Sequence, residues 1–203
     1  MRAAVLFGIL VMTASVVRAE SLPAFYNVVG IAQTDVLNVR AAPNLSAQIL
    51  STLPHDATGL EVVGRDADDG WAQINIGEQT GWISLQFLAR QPGQPDDTLP
   101  RPISCVGTEP FWDLTLPETG QAEINRIDAD PVLIDTLAPV TAANRTDRYA
   151  VFGQGSEQVF TFIFHRDQCS DQMSDRAFGM SVDIFMTENS GVSYVTGCCS
   201  LLP

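Results

Sequence analysis

The cysteines and tryptophans of this chain are dealt out unevenly, and that limits what it can fold into. Residues 24–90 hold Trp71 and Trp82 and no cysteine, whereas residues 105–199 hold all four cysteines, Cys105, Cys169, Cys198 and Cys199, together with Trp112. Between them runs ARQPGQPDDTLPRPIS, whose Gln91–Ser104 part carries four prolines, one glycine and two adjacent aspartates without apolar periodicity. Prolines stiffen a segment and remove backbone donors, so an extended tether is expected here, free or packed in part on one unit, with the boundary near residue 100. A chain of 203 residues broken in this way predicts two small units.

The first nineteen residues, MRAAVLFGILVMTASVVRA, place one Arg before an apolar run and close on Val17-Arg18-Ala19. That is the order of a secretory signal peptide over 1–19, with cleavage expected after Ala19. The run is shorter than the roughly 20 apolar residues a membrane span needs. The expectation is a periplasmic or secreted chain with no membrane span after cleavage. The 11 basic residues face 24 acidic ones for a formal net charge of −13, and none of the basic residues is lysine. Loss of the leader with its two arginines moves the charge to about −15. Such a surface repels nucleic acid and anionic headgroups, and leaves neutral or cationic ligands as partners.

Four cysteines in an exported chain predict disulfides, and they allow three pairings. Joining Cys198 to Cys199 requires a strained vicinal bridge. The other two pairings tie Cys198 and Cys199 separately to Cys105 and Cys169. Adjacent residues on a strand point to opposite faces, so both bridges at once are geometrically demanding. One bridge with a free pair is the alternative. The spacings fit no zinc pattern, and His55 and His165 are the only imidazoles, so no metal and no cofactor is expected.

In the first unit, Leu37 and Val39 alternate with Asn38 and Arg40 until Pro43-Asn44 breaks the run. Ala47–Leu53, Thr58–Gly64, Trp71–Ile76 and Thr80–Leu85 follow as short strands with polar turns between them. That pattern predicts a small curled β barrel. Ala72, Ile74 and Ile76 share one face and Trp71 takes the other; Ile83 and Leu85 share one face and Trp82 takes the other. If the aliphatic faces form the core, both tryptophans lie outside it, and Tyr26 is expected to join them. Asp66, Asp68 and Asp69 in RDADDG lack the alternating oxygens and final Glu of a calcium loop, and read as a solvated hairpin turn.

The run DVLNVRAAPN at Asp35–Asn44, then ILSTLPHDA, LEVVG, GWAQI and TGWISLQFL, resembles the bacterial SH3-like (SH3b) domains. The resemblance covers 24–90, with Asp56 where the family has a turn glycine. It implies a non-enzymatic module that holds peptidoglycan or a short peptide, in a groove formed by Tyr26, Asn38, Arg40, Trp71 and Trp82.

In residues 105–203, Trp112, Leu114 and Leu116 share a strand face before the Pro117–Gly120 turn. Gln121–Ile127, Val132–Leu137, Arg148–Phe152, Val159–His165, Met180–Met186 and Ser193–Cys199 are further strands. The fold class expected is therefore all-β: a small SH3-like barrel followed by a second, disulfide-tied antiparallel β barrel or sandwich. The motifs CVGTEPFW at Cys105–Trp112 and CSDQMSD at Cys169–Asp175 resemble those of a poorly characterised bacterial envelope and lipoprotein-associated family. This chain departs from that family's pattern at Ala177–Val182, where Gly179 stands in place of Pro.

Chemistry is thinly represented. Cys169 with His165 is the one nucleophile–base pair in view, and an exported cysteine normally bonds to another cysteine. No G-x-S-x-G elbow is present. Glu109 beside Phe111 and Trp112 is a candidate for contact with a sugar or a basic peptide. The reading is a non-enzymatic exported binding protein that recognises peptide or peptidoglycan through the SH3-like module. The alternative is an inhibitor or accessory of a cell-wall-active enzyme, whose basic surface an acidic protein would attract. The partners expected are peptidoglycan or an envelope protein.

Overall fold

The computed structural model describes residues 20–127, 129–188 and 191–203. The expected signal peptide, residues 1–19, lies outside them. The described residues form 17 strands and one 3₁₀ turn.

The first eight strands are β1 (Ala24–Val28), β2 (Val36–Arg40), β3 (Ile49–Pro54), β4 (Leu60–Val62), β5 (Gly64–Arg65), β6 (Trp71–Ile76), β7 (Gln79–Ser84) and β8 (Leu88–Arg90). They form two antiparallel sheets, β4-β1-β8 and β3-β2-β7-β6-β5. Val63, between β4 and β5, carries the chain from one sheet to the other, and its N–H donates to Gln73 O. The alternation in the sequence directs Leu37, Val39, Ala72, Ile74 and Ile83 into one core with Val28 and Val62.

The second unit comprises β9 (Ile103–Thr108), β10 (Phe111–Leu116), β11 (Ala122–Arg126), β12 (Val132–Thr136), β13 (Val140–Thr141), β14 (Arg148–Gln154), β15 (Val159–His165), β16 (Met180–Glu188) and β17 (Gly191–Leu201). Strands next to one another in sequence pair antiparallel, with β12 and β13 sharing one edge of β14. The last strand returns to the first, with Cys199 opposite Cys105. β9–β12 and β14–β17 thus close an eight-stranded up-and-down barrel, and the unit is not a sandwich. Closure leaves no free edge in that ring. Phe160, Phe162 and Phe164 all face its interior, stacked at centroid separations of 5.8 and 6.3 Å.

Two disulfides join Cys105 to Cys199 and Cys169 to Cys198. Adjacent strand residues do point apart, and that is how both bridges fit. Cys199 lies in the barrel core with Cys105, while Cys198 meets the loop that carries Cys169 outside that core. The partners approach β17 from opposite sides.

Residues 91–104 are not a free tether. Leu99 and Ile103 are buried in the barrel core, and β9 begins inside the segment. Pro92 and Pro95 cannot donate to a ladder, but the Gln94 side chain substitutes for one. Its Oε1 accepts from Phe25 N at 2.7 Å and its Nε2 donates to Phe25 O at 2.9 Å. Asp96 accepts from Ser21 N at 3.0 Å and pairs with Arg90 at 2.9 Å.

The two units are docked by polar contacts. The Asn75 amide donates to Ala177 O at 2.8 Å and accepts from Ala177 N at 3.1 Å. Gln168 Nε2 donates to Val63 O at 2.7 Å, and Leu201 N donates to Glu61 Oε1 at 2.8 Å.

Candidate functional site

Two surfaces gather the residue types that bind ligands. The first is the outer face of the small barrel. On β6 and β7, Gln73 lies opposite Trp82 and Trp71 opposite Ser84, so the two indoles are diagonal neighbours on one face. On the other side of Trp82 stands Arg40 of β2. Asn38 lies on the same face of β2, two residues from Arg40. Trp71 and Trp82 are both half-buried, off the aliphatic core. Arg40 Nη1 donates to Ala47 O at 2.9 Å, which ties the guanidinium to the loop between β2 and β3. At the far end of β6 the Asn75 amide is occupied by the second barrel.

Tyr26 is not part of this face. Alternation along β1 turns Ala24, Tyr26 and Val28 inward together, and Tyr26 is only 3% exposed. Its hydroxyl donates to Glu20 Oε2 at 2.8 Å and accepts from Arg65 Nη2 at 2.9 Å. Burial raises its pKa. The RDADDG turn is satisfied within itself: Asp66 Oδ1 accepts from Gly70 N and Trp71 N, both at 2.8 Å, and Asp69 pairs with Arg65 at 3.1 Å. Among the described residues, no group of three or more His, Cys, Asp or Glu is placed to hold a metal ion.

The second surface is a groove of about 810 Å³ on the barrel wall. It runs along the β10–β11 pair to the loop of residues 171–175 and reaches Glu78 on the small barrel. Trp112 contributes to its lining but is only 5% exposed and belongs to the barrel core. The reason lies in two glycines. A Cβ on Gly107 would overlap Trp112 Nε1, and one on Gly197 would overlap the Val106 carbonyl oxygen and stand 2.6 Å from Trp112 Cζ2. The indole fills the space these residues leave, so the glycines of CVGTEPFW and of the terminal GCC make room for a core tryptophan. Glu109 sits with Pro110 in the turn between β9 and β10, exposed, and does not line the groove. Glu109 and Trp112 therefore do not form one site.

Of the side chains that give the groove its character, the sequence drew attention to Phe111 alone, as a neighbour of Glu109, and not to Ile127 or Met173. Phe111, Ile127 and Met173 are 48%, 65% and 66% exposed. Phe111 has the opposite parity to Trp112, Leu114 and Leu116, which marks it as outward-facing. Met173 is the lone large apolar residue of a polar stretch. The loop beneath Met173 is fixed by the Cys169–Cys198 bridge and by Thr108 Oγ1, which donates to Asp171 O at 3.2 Å. Partial burial pushes the Asp171 carboxyl up, but hydrogen bonds from Ser174 and Met173 outweigh it and hold the pKa below the ordinary range. Cys169 has no thiol to offer His165, because its sulfur is in that bridge.

No curated protein and no solved structure matches the chain. Nothing in these comparisons supports the envelope-family resemblance of residues 105–203. The small barrel, with LNVR on β2 and the second Gly-Trp pair on β7, matches the bacterial SH3 domain family over residues 35–89.

Proposed function

We propose that the chain is a binding protein of the cell envelope whose small barrel recognises a short peptide or a peptidoglycan component, with no bond made or broken. The observation that carries this reading is the row Arg40–Trp82–Gln73 across β2, β7 and β6, with Trp71 on the diagonal. Indole faces accept sugar rings or peptide planes, and a guanidinium beside them supplies a charge-assisted contact to a carboxylate. The bacterial SH3 match and the two disulfides support a place outside the cytoplasm.

The test is retention on purified cell-wall sacculi of the full chain and of Trp82→Ala, Trp71→Ala and Arg40→Ala. All three side chains lie off the core, so circular dichroism should show the fold kept. Truncating one aromatic or Arg contact at a small site lowers affinity by about tenfold or more. Equal retention of all four proteins would remove the outer face from consideration.

A further inference from the structure

We infer that the groove between the β10–β11 wall and the 171–175 loop docks a cationic, partly apolar peptide segment of a partner protein. This does not rest on the outer face of the small barrel. Three exposed apolar side chains, Phe111, Ile127 and Met173, converge on one groove of about 810 Å³. Exposed apolar side chains gathered in a concavity mark an interaction site more than scattered ones do. Methionine adapts its shape to whatever packs on it.

Charge selects the occupant. The groove is lined by the carboxylates of Glu78, Asp113, Asp171 and Asp175, against Arg126 as the single cation among the described residues. Asp171 is used by its own loop, and Asp113 accepts from Asn125 Nδ2 at 2.9 Å. Glu78 and Asp175 have no side-chain hydrogen bond or ion pair among the described residues. They meet at the junction of the two units, where Gln79 bridges to Asp175. An anionic lipid surface is repelled by this lining. A second copy of the chain brings a net charge of −13 to it and is repelled as well. A basic segment with apolar side chains between its cations satisfies both the carboxylates and the exposed Phe111, Ile127 and Met173.

The test uses the full chain and a fluorescently labelled short peptide of alternating Lys and Leu, read by anisotropy. Peptides of alternating Lys and Ser, and of alternating Glu and Leu, serve as controls. The Lys–Leu peptide should bind with an affinity that falls as salt rises, and the other two should bind at least about tenfold more weakly. The pair Glu78→Gln with Asp175→Asn should weaken binding by about tenfold, and so should Ile127→Ser with Met173→Ser. Asp56→Asn with Glu157→Gln removes the same charge from exposed positions outside the groove and should leave binding unchanged, as should Trp82→Ala. No binding, equal affinity for the Lys–Ser peptide, an equal loss in the Asp56 and Glu157 pair, or no loss in either groove pair would each overturn the inference. Loss in Trp82→Ala alone would place the peptide on the small barrel and overturn it too.

Discussion

Glu61 offers the sharpest test of how the two units are held together. It lies on β4, and its Oε1 accepts from Leu201 N of β17 at 2.8 Å. Burial pushes its carboxyl up from 4.5 to about 7, with the Leu201 hydrogen bond and the Arg176 charge opposing the rise. A protonated Glu61 keeps the Leu201 contact through its carbonyl oxygen, so the native state binds a proton that the unfolded chain releases above its ordinary pKa. The sign follows from linkage. The stabilisation is fully present below about pH 4.5 and is lost as pH rises through about 7. A rise of roughly 2.5 units at 1.36 kcal/mol per unit gives about 3 kcal/mol across the window. Glu61→Gln preserves an acceptor for Leu201 and cannot ionise. Its stability relative to the parent should therefore increase by about 2.5 kcal/mol between pH 5 and pH 8.5, because part of the loss already falls below pH 5; that is about 1–2 M in urea midpoint. Asp96, Asp147 and Asp171, whose carboxyls are held below the ordinary range, lose stabilisation only at lower pH and leave this window clear. The assay is urea unfolding of both proteins at steps through the window, with hydrogen exchange at the Leu201 amide as a local readout. A difference between them that stays constant with pH would refute the reasoning.

The remaining predictions concern the large barrel. Gly107→Ala drives a methyl group into the Trp112 indole, and Gly197→Ala drives one into both the Val106 carbonyl oxygen and that indole; each should destabilise the protein by about 1–3 kcal/mol. Trp112→Leu should relieve much of the Gly107→Ala penalty in a double-mutant cycle on thermal unfolding, and strict additivity at that pair would contradict the contact; the Gly197→Ala penalty should largely remain, because the Val106 backbone oxygen stays in place. Replacing Cys169 and Cys198 by Ala removes a bridge across 29 residues. By loop entropy this loses about 3.6 kcal/mol. The 171–175 loop should become a protease site before the barrel itself is cut, and an unchanged urea midpoint with an intact loop would count against its role as a clamp.

The strands of both units were largely legible in the sequence, because period-2 alternation is written into LNVR, WAQINI, VFTFIFH and MSVDIFM. The same alternation placed Trp71 and Trp82 off the core. It also puts Tyr26 on the inward face of β1 with Ala24 and Val28; the expectation went astray there by grouping Tyr26 with the tryptophans as an aromatic instead of following its parity. The choice between barrel and sandwich was not legible, because it depends on β17 pairing with β9, residues more than 80 apart in sequence. Cys105 and Cys199 contained that information, but their pairing could not be deduced from spacing. Residues 91–104 misled because proline content signals a poor ladder, not a poor packing partner: Leu99 and Ile103 are buried, and Gln94 makes the hydrogen bonds the prolines cannot. CVGTEPFW drew attention to Glu109 and Trp112 as a ligand pair, when its glycine and tryptophan answer to each other. The groove was missed because its apolar residues come from separate strands and a loop, and its carboxylates from both units.

The Cys105–Cys199 bridge sits at the seam where the barrel's first and last strands meet. Tension applied between the small barrel and the C-terminal residues would reach Cys105 from one side and Cys199 from the other, and would cross directly between them. The 93 residues from 106 to 198 lie inside that covalent loop and would carry none of the load. Under force the small barrel would yield while the large one stayed intact. Reduction of this one bond would put the larger barrel back into the line of pull.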